Sequence, residues 1–138
     1  TVGPDGGLLI GIDLKKDVAI LEAAYDDAQG VTAAFNMNLL VRLNAEFGAN
    51  FDLDGFRHKA LYNEDIGRIE MHLISLKEQS VTLDGKTFHF AEGENIHTEN
   101  SYKYGVEEFQ ALAGRAGFTP VKVWTDADDL FSIHYLTA

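Results

Sequence analysis

Glu99 and Ser101 stand two residues apart in Thr98-Glu99-Asn100-Ser101. In an extended segment side chains alternate, so a carboxylate and a hydroxyl would share one side and could address one ligand. The carboxylate accepts from an N–H and the hydroxyl accepts or donates, a combination that selects a polar ring where an apolar slot could not. The same four residues also read as a solvated loop, or as a cap for a helix beginning near Val106. His72, His89 and His97 raise metal ligation, with His97 and Glu99 two apart on one face, yet the sequence shows no tight ligand triad. Residues 126–129 lack the spaced oxygens and glycine of a calcium loop. Lys103, between Tyr102 and Tyr104, reads as a surface charge stacked on aromatics.

Two further groups depend on the elements that carry them. Tyr25 falls with Ile20, Leu21 and Ala24 on the apolar face of a helix expected from Asp17 to about residue 28, with Gly30 as a stop. A core aromatic with a satisfied hydroxyl is its plain reading. Met71 alternates with Ile69 and Leu73 on a strand over 68–76 and fits as core filler. Between them a helix is expected over 31–47, where Phe35, Leu39, Leu43 and Phe47 recur every four residues and Gly48 ends the pattern. Its Asn36, Asn38 and Asn44 are weak helix formers. Strands follow at 56–63, 68–76, 80–83 and 86–90, with Asp84-Gly85 as a type I′ hairpin signal, so the middle of the chain should hold an antiparallel sheet.

The ends have a different texture. Leu8-Leu9-Ile10-Gly11-Ile12-Asp13 is a continuous apolar run, as expected of a strand buried on both faces in a parallel sheet, although no earlier strand is there to pair with it. A helix over 106–116 presents Phe109, Leu112 and Ala113 and stops at Gly117. A strand over 121–124 and another over 130–136 close the chain, the second alternating Phe131, Ile133 and Tyr135 with Ser132 and His134. No repeat or low-complexity tract interrupts this order.

The 138 residues suffice for one ordinary globular core. With 22 acidic against 11 basic residues the net charge is −11, which disfavours nucleic acid and anionic membrane surfaces as partners. The absence of cysteine excludes disulfides and a thiolate nucleophile. Apolar runs fall far short of the roughly 20 residues that span a bilayer, and the amino terminus lacks a signal pattern, so a cytoplasmic location is expected.

The words Leu8-Leu9-Ile10-Gly11-Ile12-Asp13-Leu14, Ala24-Tyr25-Asp26-Asp27-Ala28, Gly30-Val31-Thr32-Ala33, Arg68-Ile69-Glu70-Met71, Thr98-Glu99-Asn100-Ser101 and Trp124-Thr125-Asp126 resemble, in order and spacing, the histidine-specific, S-adenosylmethionine-dependent methyltransferases of ergothioneine biosynthesis. The resemblance runs over essentially the whole chain. It implies an α/β fold: the C-terminal part of a class I methyltransferase (Rossmann-like) sheet, residues 1–15 and 105–138, interrupted by an α+β substrate-binding insertion, residues 16–104, with an antiparallel sheet. It also implies trimethylation of the α-amine of L-histidine to hercynine, with S-adenosylmethionine as donor, in a monomeric parent.

Carried over residue by residue, the family pattern makes Tyr25 a contact to the amino-acid carboxylate. Met71 then lines the imidazole pocket, and Glu99 and Ser101 hydrogen-bond the imidazole edge. The chain departs from the family in lacking a strand followed by a glycine-rich G-x-G loop, since Gly3-Pro4-Asp5-Gly6-Gly7 precedes a strand instead. The donor site is therefore expected in a missing upstream half, and the isolated chain is not expected to turn over. Two other readings compete: a non-catalytic module that binds an amino acid or nucleobase, and a metal-dependent enzyme built on the histidines.

Overall fold

The computed structural model describes residue 3 and residues 5–138. Two compact units emerge, one made of the amino-terminal residues through Asp17 with Asp65–Gly67 and Tyr102–Ala138, the other of Val18–Glu64 and Arg68–Ser101.

In the second unit, strands β2 (Phe56–Asn63), β3 (Arg68–Ser75) and β6 (Asn95–Tyr102, whose last residue belongs to the first unit) form a sheet in the order β2-β3-β6, while β4 (Gln79–Leu83) and β5 (Lys86–Phe90) form a separate hairpin. The β4–β5 turn has φ of 49° at Asp84 and 71° at Gly85, the two positive values that a type I′ turn requires. The antiparallel middle region is thus as expected, with β2 and β3 paired from Phe56 opposite Ser75 to Asn63 opposite Arg68. The polar segment that reads alternatively as loop or cap is strand β6.

Helix α1 (Val18–Tyr25) is shorter than expected. Asp27 explains why: its carboxylate accepts from the backbone N–H groups of Val31 and Thr32 at 3.0 and 2.8 Å, so it caps the next helix instead of finishing the first. Those two bonds hold the Asp27 pKa down at about 2. Helix α2 (Val31–Phe47) has the expected bounds but not the expected face. Phe35 is 66% exposed and Phe47 62%, while Asn36 and Leu40 are buried. Leu40 packs with Phe51, Phe56, Leu73 and Val81, and the edge-on rings of Phe51, Phe56 and Phe90 extend that core. The asparagines that weaken the helix intrinsically are used: Asn44 accepts from the Phe51 N–H and donates to the Phe51 carbonyl, both at 2.8 Å, which docks the loop after α2.

The first unit contains a sheet in the order β1-β8-β7, built from β1 (Gly7–Asp13), β7 (Thr119–Thr125) and β8 (Phe131–Thr137). The central strand β8 is antiparallel to both neighbours, so β1 and β7 run parallel to each other. Helix α3 (Val106–Arg115) covers one face: Phe109 and Ala113 pack with Ile12 and Leu136. Leu112, expected on that face, is partly exposed.

Strand β1 is not buried on both faces, as its run of apolar residues suggests. Leu9 is 67% exposed, and among the described residues β1 pairs in the sheet only with β8. In β8 the alternation runs polar-inward: Ser132, His134 and Leu136 are buried beneath α3, while Phe131, Ile133 and Tyr135 face the open side with Leu9. The buried polar pair is joined by a 3.0 Å bond between Ser132 Oγ and His134 Nε2.

Lys103 corrects the surface reading most sharply. It is 1% exposed, and its Nζ lies 2.7 Å from Asp13 Oδ2. A buried ammonium demands a paired carboxylate, and Lys16 joins the same aspartate through Oδ1 at 2.5 Å while donating to the Leu130 carbonyl. Burial raises the Asp13 pKa, but the hydrogen bonds and charges of Lys103 and Lys16 outweigh it and bring the net value below the ordinary one.

Candidate functional site

Tyr25 is the last residue of α1 and Ser101 lies near the end of β6, yet their hydroxyls meet at 2.7 Å. Residues 76 positions apart are thereby joined in one polar couple. The backbone beneath Tyr25 is also fixed. His58 Nε2 lies 2.8 Å from the Tyr25 carbonyl, which can only accept, so that nitrogen carries the ring proton. Nδ1 of the neutral ring is then an acceptor, and the Asn36 amide donates to it at 3.0 Å. The same amide reaches the His72 carbonyl at 3.3 Å. Neither Asn36 nor His58 stands out in the sequence, and only the helical period that places Asn36 beside Leu40 could have drawn attention to it.

Met71 is buried with Leu21 and Ile69, and Tyr25 and Tyr62 pack against this cluster. Its side chain is core filler in contact with the group around Tyr25, and its carbonyl accepts from Thr98 Oγ1 at 2.9 Å. That bond ties β3 to β6 next to Glu99. Glu99 itself is exposed and lines an open cleft of about 220 Å³ with Thr98, Phe35, Asn36, Leu39 and Arg42. Phe35 and Leu39, apolar residues of α2 outside the core, therefore form part of one side of this cleft. Arg42 is braced there by a two-point pair with Glu46 at 2.8 and 3.1 Å, which lowers the Glu46 pKa.

The histidines do not converge as a set of three. His89 bonds Ser80 at 2.8 Å on the β4–β5 hairpin. His72 and His97, however, meet Glu70, a grouping that the spacing alone did not reveal. Glu70 is held by Arg68 at 2.7 Å, and the Arg68 hydrogen bond is the main cause of its lowered pKa.

Nothing among the described residues forms a phosphate- or nucleoside-cradling glycine loop. The turns from β1 to α1 and from β6 to α3 contain no glycine and one glycine, respectively. Gly7 and Gly11 serve another purpose: a Cβ would come within 2.8 Å of the Tyr135 ring and 2.6 Å of the Phe131 ring, so these glycines let aromatic rings lie over β1.

A family model described as histidine-specific methyltransferase, SAM-dependent, matches residues 1–138. The chain is 45% identical over 128 residues to a histidine N-alpha-methyltransferase of Mycolicibacterium smegmatis, covering 91% of this chain and 40% of that protein. To the protein of the same name from Mycobacterium tuberculosis it is 42% identical over 125 residues, covering 89% and 39%. A protein of Schizosaccharomyces pombe named ergothioneine biosynthesis protein 1 is 29% identical over 131 residues, covering 94% of this chain and 17% of its own length. The chain thus spans about 40% of the length of the two mycobacterial relatives.

Proposed function

Because the chain belongs to the histidine-specific, S-adenosylmethionine-dependent methyltransferases, we propose that it is the substrate-gripping part of an enzyme that methylates the α-amine of L-histidine. The supporting observation is the 2.7 Å bond between Tyr25 and Ser101, two residues to which the family pattern assigns opposite ends of the substrate. The couple gives the pocket a direction. If Tyr25 donates to the substrate carboxylate, its oxygen can accept from Ser101, and the Ser101 lone pairs then face a ring N–H. Glu99 supplies a second acceptor for the imidazole, and Met71 stiffens the apolar floor beneath Tyr25.

We further assign the β1-β8-β7 sheet with α3 to the C-terminal part of a class I methyltransferase sheet, and residues 16–104 to the substrate-binding insertion. The parallel β1 and β7 around an antiparallel terminal strand support this. The residues described here do not fit S-adenosylmethionine, since they offer no glycine cradle at a strand end. The donor, when bound, supplies an activated methyl group. These residues have to hold an amine still and in line, which is where most of the rate advantage of such a displacement arises.

Calorimetry of L-histidine against the full-length protein tests the proposal. Binding is expected to weaken roughly 5- to 15-fold in Ser101→Ala, as for one neutral hydrogen bond of ~1–1.5 kcal/mol. Equal affinity for L-histidine and for L-leucine would overturn the substrate assignment.

A further inference from the structure

We infer that Glu70, His72 and His97 form a binding site for a divalent transition-metal ion of the zinc class, separate from the histidine pocket. Strand β3 places Glu70 and His72 two residues apart on one face, and β6 brings His97 onto them, with the imidazoles of His72 and His97 stacked at 4.5 Å between ring centres. One ligand atom from each of the three lies within 4.8 Å of the others.

The convergence of these three side chains carries the inference, and the hydrogen bonds around the two rings support it. His72 Nδ1 lies 2.9 Å from Asn95 Oδ1, and His97 Nε2 lies 3.2 Å from the Glu99 backbone carbonyl. A carbonyl oxygen only accepts, so each of these nitrogens bears the ring hydrogen and the opposite nitrogen of a neutral ring presents a lone pair. For His72 that lone pair is on Nε2, which faces Glu70 Oε2 at 3.2 Å. A carboxylate oxygen is also an acceptor, so in this tautomer a metal ion or a proton between the two satisfies both.

Glu70 is prepared for the role. Its Oε1 is occupied by Arg68 at 2.7 and 2.8 Å and by Asn63 at 3.2 Å, which leaves Oε2 directed at His72. A tetrahedral zinc ion with bonds of about 2.1 Å separates its ligand atoms by roughly 3.4 Å, close to the His72–Glu70 distance. His97 is the exposed member, and its ligand atom lies within 4.8 Å of the other two. Histidines that bind metal characteristically donate their second N–H to a carbonyl or carboxylate, and both rings do so here. Two imidazoles and one carboxylate suit zinc or another borderline divalent ion, with a fourth position left for water. The positive charge of Arg68 nearby moderates the affinity. A metal ion here would fasten β6, the strand of Glu99 and Ser101, to β3.

The test is calorimetric titration of the full-length protein with Zn²⁺, after removal of any affinity tag and treatment with chelator, together with the visible spectrum of the Co²⁺ form. One ion per chain is expected, with tetrahedral Co²⁺ bands. His97→Ala, at an exposed position that leaves the core intact, should weaken binding roughly 100-fold, and Asn95→Ala by roughly 10-fold, as for a group that orients a ligand. His89→Ala should leave binding unchanged. Absence of saturable binding, or an affinity unaffected by His97→Ala, would overturn the inference and leave a proton as the only cation between His72 and Glu70.

Discussion

Tyr25 and Ser101 touch each other, so in the proposed pocket their contributions to substrate binding should not add. In a double-mutant cycle, Tyr25→Phe and Ser101→Ala together are expected to cost less than the sum of the two, by ~0.5 kcal/mol or more, because either change alone breaks the same hydrogen-bonded couple. Calorimetry with L-histidine measures it, and strict additivity would refute the directed couple. Lys103 makes a different prediction. Asp13→Asn removes the carboxylate from a fully buried ammonium and should destabilise the fold by ~3–5 kcal/mol, as when one partner of a buried ion pair is deleted. Urea unfolding checks this, and a change below ~1 kcal/mol would contradict it. His134 adds a pH dependence. Burial holds its pKa below 6.5, so the folded state resists the proton that the unfolded chain accepts. Stability is therefore full above about pH 6.5 and falls as pH drops from there toward the lowered folded value, a slope that His134→Gln should reduce in unfolding curves at pH 7.5 and 5.5.

At the level of elements, Asp27 shows how a local group fixes a boundary. Its pKa of about 2 lies below the ordinary 3.8, so its contribution is present above pH 3.8 and lost as pH falls through about 2. Asp27→Ala should accordingly lower the melting temperature at pH 7, and by progressively less as pH falls from 3.8 through about 2. The same element illustrates what the sequence makes legible. The bounds of α2 follow from its four-residue apolar period and Gly48, whose φ of 62° ends the helix. Its inward face does not follow, because the period marks Phe35 and Leu39, which line a cleft, while the buried position is held by an asparagine with two polar partners. Strand β6 was hidden for a similar reason. Its Asn-Ile-His-Thr-Glu-Asn-Ser-Tyr has no apolar alternation, and it is a strand because β3 offers it backbone partners and a Thr98 anchor. The proposed grouping of Tyr25, Met71, Glu99 and Ser101 comes only from the family's words. Lys103, Asn36 and His58 owe their roles to contacts between distant segments, which no local pattern records.

Across the molecule, the side of the β1-β8-β7 sheet away from α3 carries Leu9, Phe131, Ile133 and Tyr135, each more than a third exposed, and among the described residues β1 ends the sheet. A contiguous apolar face with an unpaired strand edge is a template for association. The 138-residue chain on its own is expected to self-associate in sedimentation experiments at micromolar concentration. Ile133→Lys should reduce that association, and a strictly monomeric wild-type chain would contradict the expectation.

Strand pairing also sets an order of events. Strand β8 holds the middle of its sheet and comes from residues 131–137, while its partner β1 comes from residues 7–13. The second unit is complete within residues 18–101 and can acquire its core while later residues are still being synthesised. The pairing of β1 with β8 must await synthesis of residues 131–137, and closing a loop of that length is entropically costly compared with the local pairings of the second unit.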